Sequence, residues 1–167
     1  MDLYIQRHAI AVDRGTKGYE TDSKRPLTGK GAEKMQGIAE GMLTLQLSFD
    51  RILSSPFVRA RQTAGIVAEV LHETKKLEFT ADLEPGGDPG RLIDLIGERH
   101  GPDSSILLVG HEPYLSGLIS ILVAGVQNPS ITMKKGGLCK LRVAGLRYGR
   151  CAVMEWLLTP HQLRLMR

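Results

Sequence analysis

The chain has 167 residues, 42% hydrophobic and 24% charged, which predicts one folded domain over residues 1–167 and excludes a disordered chain. Its formal net charge is +4, but aromatic residues make up only 5% and the basic residues are scattered. We therefore expect a mildly basic surface, suited to an acidic protein partner, and no nucleic-acid-binding role.

The cysteines and the N-terminus indicate the compartment. Cys139 and Cys151 lack metal-type spacing and are too few for a disulfide framework, so buried free thiols are expected and a disulfide between them is the alternative. Charges at Asp2 and Arg7 leave no apolar signal region, and no apolar run approaches the roughly 20 residues that span a bilayer. These features predict a cytoplasmic protein without membrane association.

Hydrophobic periodicity and turn residues predict alternating strands and helices. In chain order we expect a strand over 2–6, a loop over 10–27, a helix over 29–47, a strand over 51–55, a helix from Ser55-Pro56 to about Leu71, a strand over 77–80, a loop over 82–90, a helix over 90–99, a strand over 105–109, a helix over about 113–124, and strands over 137–143 and 152–158. This order predicts a three-layer α/β/α fold with a mostly parallel central sheet.

The helix over 29–47 is predicted from apolar positions separated by three and four residues, with Thr28 as its N-cap. Gly37 and Gly41 each weaken this helix by about 1 kcal/mol relative to alanine. We therefore expect packing against other elements to hold it.

Basic side chains follow three of the predicted strands. Arg7 and His8 end the first strand, Arg59 follows the second at a helix start, and His111 follows the strand over 105–109. Ligands of open α/β sheets bind outside the carboxyl ends of the strands, and a helix N-terminus favours anions. Alone, each could be a surface strand end, a solvated helix face or a capping histidine. Together they predict a pocket for a phosphate-sized anion.

Five short segments carry a family resemblance, and they occur in the same order along most of the chain. They are Arg7-His8-Ala9, Arg25-Pro26-Leu27-Thr28, Ser55-Pro56-Phe57-x-Arg59-Ala60-x-Gln62-Thr63, Leu83-x-Pro85-x-Gly87-Asp88 and Gly110-His111-x-Pro113, with Trp156 in the last strand. In these segments the chain resembles the histidine phosphatase, or phosphoglycerate mutase-like, superfamily, and most closely its SixA-type phosphohistidine phosphatases. Ala9 departs from the glycine of the superfamily motif, and as the next smallest residue it is expected to be tolerated.

The resemblance implies a role for each matched residue. His8 would be the nucleophile, Arg7 and Arg59 would hold the phosphoryl oxygens, and a protonated His111 would complete the positive pocket. No metal and no cofactor are implied. Arg25 could bind substrate at the pocket rim, with a surface salt bridge as the alternative.

The proton donor is open at this stage. Glu84 is the leading candidate, and Asp82 and Asp88 lie nearby in the same loop. A phosphohistidine leaving group can carry its own proton on the second ring nitrogen, so it depends less on such a donor than an alkoxide does.

The resemblance implies a phosphatase that removes phosphate from phosphohistidine in signal-transduction proteins through a covalent phosphohistidine on His8. The short chain between Asp88 and the strand at residue 105 leaves no insertion for a lid, which favours a protein substrate. The alternatives are a phosphomonoesterase for a small metabolite and a catalytically silent module that binds phosphorylated protein.

Overall fold

The computed structural model describes residues 1–127 and 130–167, which build one mixed six-stranded sheet with helices on both faces. The strands are β1 (Asp2–Arg7), β2 (Arg51–Ser54), β3 (Leu77–Phe79), β4 (Ser105–Gly110), β5 (Leu138–Val143) and β6 (Ala152–Leu158). The helices are α1 (Gly29–Thr44), α2 (Val58–Val70), α3 (Pro89–Arg99), α4 (Tyr114–Ala124) and α5 (Pro160–Leu165).

The strand order across the sheet is β3-β2-β4-β1-β5-β6. The first four strands in this order run parallel, whereas β5 runs antiparallel to β1 and β6 antiparallel to β5. The carboxyl ends of β1, β2 and β4 therefore meet at one edge in the middle of the sheet. The predicted mostly parallel α/β/α architecture is confirmed.

Two apolar clusters flank the sheet, because successive residues of a strand point to opposite faces. Leu3 and Ile5 of β1 pack with α3 and α4, whereas Tyr4 packs with α1, α2 and α5. Burial on both faces explains why β1 and β4 are continuous apolar runs.

Helix α1 begins as predicted, with the Thr28 hydroxyl accepting a hydrogen bond from the Gly31 N–H. It ends at Thr44, three residues earlier than predicted, since Gln46 has a φ of 56°. Helix α2 begins at Val58 with Phe57 as its N-cap, so the predicted start at Ser55-Pro56 is wrong.

Helix α5 is absent from the sequence-based prediction and explains Gly41. Its Thr159 and Gln162 form a capping box, with Pro160 at the first helical position. A Cβ on Gly41 would lie 2.0 Å from the carbonyl oxygen of Leu163, so only glycine lets α5 approach α1 this closely. Packing therefore holds α1 despite its glycines, as expected.

Cys139 and Cys151 are buried free thiols, which confirms the sequence-based expectation. Within residues 1–127 and 130–167, no helix combines the length and the apolar sequence that crossing a bilayer requires.

Candidate active site

His8 lies immediately after β1, where its N–H still bonds the carbonyl of Gly110 at the end of β4 (3.0 Å). The next N–H, of Ala9, donates to the hydroxyl of Thr63 on α2 (3.0 Å). That hydroxyl in turn donates to the carbonyl of Arg59 (2.7 Å). The backbone around His8 is therefore fixed to β4 and α2 at once.

The hydrogen bonds of His8 define its tautomer. Its Nδ1 lies 2.7 Å from the carbonyl oxygen of Ala9, and a carbonyl oxygen can only accept, so Nδ1 carries the proton. Its Nε2 lies 3.2 Å from Nε of Arg59, which can only donate. Nε2 is therefore unprotonated, and its one lone pair accepts the Arg59 N–H in the free protein. An unprotonated ring nitrogen is the form of imidazole that attacks phosphorus once such a hydrogen bond is released.

Arg59, in the first turn of α2, is 2% exposed, and each of its three guanidinium nitrogens donates one hydrogen bond, which leaves two N–H donors free for a ligand. Besides the bond to His8, one terminal nitrogen donates to the Asp22 carbonyl (2.7 Å) and the other to the Asp22 carboxylate (2.9 Å). The guanidinium also stacks 5.2 Å from the ring centroid of Phe57. These contacts fix the direction in which Arg59 presents its charge.

Asp22 is a site residue that sequence reasoning missed. Its carboxylate joins Arg59 to Arg25, whose Nε and a terminal nitrogen donate to it at 3.0 and 2.8 Å. Burial opposes the charge on Asp22, but hydrogen bonds from Arg25 and Arg59 outweigh that cost and lower its pKa to about 2. No local sequence signal separates Asp22 from the other carboxylates of this polar loop, such as Asp13 and Glu20.

Arg25 is tied down in the same way, and its third hydrogen bond reaches the Val12 carbonyl (2.5 Å). It is 9% exposed and lines a cavity of about 510 Å³. The structure thus shows both of the alternatives expected for Arg25, a salt bridge and a position at the rim of a cavity.

His111 follows β4 and lies with its ring centroid 5.1 Å from that of His8. Its Nε2 hydrogen-bonds the Ser55 hydroxyl (2.9 Å), whereas its Nδ1 is buried without a hydrogen-bond partner among the described residues. Ser55, expected to cap α2, instead holds His111 and accepts from the Phe57 N–H (3.3 Å). The ring of Phe57 packs edge-on against His111 at 5.2 Å.

Both histidines are neutral in the free protein. Burial, with a smaller contribution from the positive charges of Arg59 and Arg7, lowers the pKa of His8 to about 3. Burial, then the proximity of His8 and Arg59, lowers the pKa of His111 to about 3. The protonated His111 expected beside an anion is therefore not the state of the free pocket, and it stays a prediction for the anion-bound form.

Arg7 ends β1, and its side chain donates to the carbonyl of Met133 (2.7 Å). The Gly136 N–H bonds the carbonyls of Arg7 (3.0 Å) and His8 (3.2 Å), so the segment before β5 is fastened to the site. Burial lowers the pKa of Arg7, but an arginine keeps its charge at any physiological pH.

The three candidate proton donors occupy different surroundings. Asp82 bonds the Thr80 hydroxyl (3.3 Å) and Arg91 (3.5 Å), and Asp88 caps α3 through the Gly90 N–H (2.8 Å). Glu84 lines the 510 Å³ cavity, and its carboxylate makes no hydrogen bond or ion pair with the part of the chain that is described. Geometry therefore leaves Glu84 as the carboxylate available to a ligand.

The cavity is bounded by Asp22, Arg25, Phe57 and Glu84, and neither His8 nor His111 lines it directly. It reaches them through two neighbours, since Phe57 packs against His111 and Asp22 holds Arg59. His8 is 7% exposed and His111 is 1% exposed. Asp22, from the loop between β1 and α1, covers the guanidinium of Arg59, while the cavity beside it stays open to solvent. Over residues 1–127 and 130–167, no group of three or more His, Cys, Asp or Glu side chains could hold a metal ion.

Comparisons with known proteins agree with this arrangement. Residues 3–84 match the family model of the histidine phosphatase superfamily (branch 1). A phosphohistidine phosphatase SixA homolog of Haemophilus influenzae is 31% identical over 137 residues, which cover 77% of this chain and 80% of the relative. Phosphohistidine phosphatase SixA of Escherichia coli is 27% identical over 167 residues, covering 99% of this chain and 98% of the relative.

A solved structure of the protein histidine phosphatase SixA complexed with tungstate has the same fold, with a TM-score of 0.83 over 98% of this chain and 99% of that one at 24% identity. This likeness shows that the two proteins share the fold. The chain belongs to the histidine phosphatase superfamily, as a phosphatase of the SixA type.

Proposed function

We propose that the protein removes phosphate from phosphohistidine in signal-transduction proteins, through a covalent phosphohistidine on Nε2 of His8. The observation that carries this proposal is the tautomer of His8, which has an unprotonated Nε2 beside the buried Arg59. The names of the SixA relatives support the substrate class.

In the first step the lone pair of Nε2 attacks phosphorus, and the bond from phosphorus to the substrate imidazole breaks. The substrate imidazole carries a proton on its other ring nitrogen, so it takes the electron pair of the broken bond and departs as neutral imidazole. In the second step water attacks the phosphohistidine, phosphate departs, and Nε2 regains its lone pair.

The cations of the pocket would hold the transferring phosphoryl group. Arg7 and Arg59 would contact its oxygens, and charge-assisted hydrogen bonds of this kind are worth about 1.5–3 kcal/mol each. The dianion would raise the proton affinity of His111, which has an unpaired buried Nδ1 to offer. In the proposed mechanism these residues supply the positive charge and no metal is required.

Asp22 and Arg25 would position Arg59 rather than contact the transferring phosphoryl group. Asp22 holds both terminal nitrogens of Arg59 and is itself held by Arg25, so this pair sets the orientation of the guanidinium. At the rim of the cavity, Arg25 would also contact the bound substrate.

Glu84 favours a second candidate function, a phosphomonoesterase for a small metabolite. An alkoxide leaving group needs a proton, and the unpartnered Glu84 carboxylate lines a cavity large enough for such a substrate. Efficient turnover of phosphoserine or a sugar phosphate, abolished in Glu84→Gln, would support this function.

The test is a time course of phosphate release from a phosphohistidine-bearing transfer domain in the presence of a chelator. Wild type and His8→Asn are compared, since asparagine keeps a donor near the Ala9 carbonyl and loses the nucleophile. Rapid release by wild type alone supports the proposal. No release by either protein rejects the substrate class, and equal release by both rejects His8 as the nucleophile.

A further inference from the structure

A second cavity, of about 280 Å³, shares no lining residue with the first one. Ala9 forms part of its wall, so it begins one residue from the proposed nucleophile. Four cationic side chains and no acidic ones line this basic cavity, and they are Lys34, Lys134, Lys135 and Arg164. The imidazole of His161 lines it as well.

The backbone fixes these cations close to the reaction. Lys134 and Lys135 belong to the segment whose Gly136 N–H bonds the carbonyls of Arg7 and His8. The charge of Lys135 is near enough to act on His8, whose pKa it helps to lower. A ligand in the basic cavity would therefore be adjacent to a phosphoryl group on His8.

The cations of the basic cavity are not neutralised by the protein. Across the described residues, none of Lys34, Lys134, Lys135 and Arg164 takes part in an ion pair, and the Nε of Arg164 is buried without a hydrogen-bond partner. By contrast, Lys140 nearby in sequence contacts both Asp2 and Glu155 at 2.9 Å. Clustered like charges without counter-charges attract an anionic ligand.

We propose that the basic cavity binds acidic side chains that flank the phosphohistidine of the protein substrate. This inference rests on the proposed function and names what the substrate carries beside its phosphoryl group. Lys134, Lys135 and His161 are exposed, so a macromolecule can reach them. Lysine ammonium groups act as mobile point charges, which suits carboxylates on a variable segment better than one fixed bidentate anion.

The test measures binding of an unphosphorylated peptide, so it does not depend on phosphoryl transfer. A histidine peptide flanked by Asp and Glu is titrated calorimetrically, beside the matched peptide carrying Asn and Gln. Wild type is expected to bind the acidic peptide about fivefold tighter or more, since each exposed ion pair contributes up to about 1 kcal/mol. Added salt should reduce the difference.

In the double variant Lys34→Gln/Lys134→Gln, the ratio of the affinities for the acidic and the neutral peptide is expected to fall about fivefold. Lys75→Gln, an exposed lysine outside the basic cavity, is the matched control and should keep it. Equal binding of the two peptides by wild type overturns the proposal. A preference that survives in the double variant also overturns it, because the acidic peptide then binds elsewhere.

Two further outcomes separate this inference from the proposed function. A preference for the acidic peptide without loss of phosphate from phosphohistidine rejects the proposed function and leaves the basic cavity as an acidic-peptide site. The other outcome is that wild type shows no preference between the peptides but binds inorganic phosphate at two sites per chain, and the double variant binds it at one. The basic cavity then holds a second phosphate of a small substrate, and the proposal of acidic side chains fails.

Discussion

Lowering the pH from 7 to 5 should destabilise this protein through the two neutral histidines of the pocket. The pKa of His8 and of His111 is about 3 in the folded protein, against an ordinary value of 6.5. Between these values the unfolded chain binds more protons than the folded one, so stability falls as the pH drops below about 6.5 and continues to fall towards pH 3.

The size of the effect follows from the two pKa values. For one group moving from 6.5 to about 3, the free energy of unfolding decreases by about 2 kcal/mol between pH 7 and pH 5. His8 and His111 together should therefore account for about 4 kcal/mol, a large part of the 5–15 kcal/mol typical of a small domain. Replacing His8 by asparagine should remove about half of this loss.

The assay is urea unfolding at pH 7 and pH 5 in buffers without phosphate, since a bound anion would stabilise the folded protein. For each protein, the decrease in the free energy of unfolding between pH 7 and pH 5 is measured, and the decrease in His8→Asn is subtracted from that in wild type. The contributions of the other titrating groups cancel in this difference. His72→Asn is the matched control, because His72 is exposed and its φ of 57° suits asparagine. Equal pH dependence in wild type and His8→Asn would refute the reasoning.

Three substitutions test the contacts that build the pocket. Arg59→Lys should reduce kcat/KM for para-nitrophenyl phosphate about tenfold to a hundredfold, because one lysine cannot contact His8 and both acceptors of Asp22 together. An unchanged kcat/KM would contradict the role of Arg59 in holding the phosphoryl group. Asp22→Asn should lower kcat/KM and reduce the free energy of unfolding at pH 7 by about 1 kcal/mol or less. This difference should disappear as the pH falls from about 4 towards 2, because the wild-type carboxylate is then protonated too. A difference that stays constant with pH would contradict a role for the ion pairs. Gly136→Ala should lower the free energy of unfolding, measured in urea, by about 1–2 kcal/mol, since Gly136 has a φ of 84° and a Cβ there would lie 2.8 Å from Ile38. Gly145→Ala is the control and should not show this loss, because no atom lies within 4 Å of a Cβ at that position.

The sequence was sufficient to predict the elements that have a strong local signal. The apolar runs of β1, β2 and β4 and the basic residues that follow them appear where they were predicted, and they place His8, Arg59 and His111 in one pocket. Parallel strands deliver their carboxyl ends to one edge, so the place where these residues meet could be inferred before any coordinates.

Contacts between distant segments could not be predicted. Asp22 reaches Arg59 across 37 positions, and no local pattern in the polar loop marks it as different from other surface carboxylates. The start of α2 was misplaced because Ser55 looks like an N-cap, yet its hydroxyl bonds His111. Helix α5 was missed although Thr159, Pro160 and Gln162 carry a capping-box signal, since six residues are too few to show periodicity.

The central claim is that His8 accepts the phosphoryl group, and rapid-quench labelling tests it most directly. Protein mixed for milliseconds with a ³²P-labelled phosphohistidine domain is quenched in alkali, digested and mapped. The account predicts a label that is stable in alkali and labile in acid, located at His8 and absent from His8→Asn. Phosphate release by wild type with no label on the protein at any time, or with a label on another residue, would contradict the account.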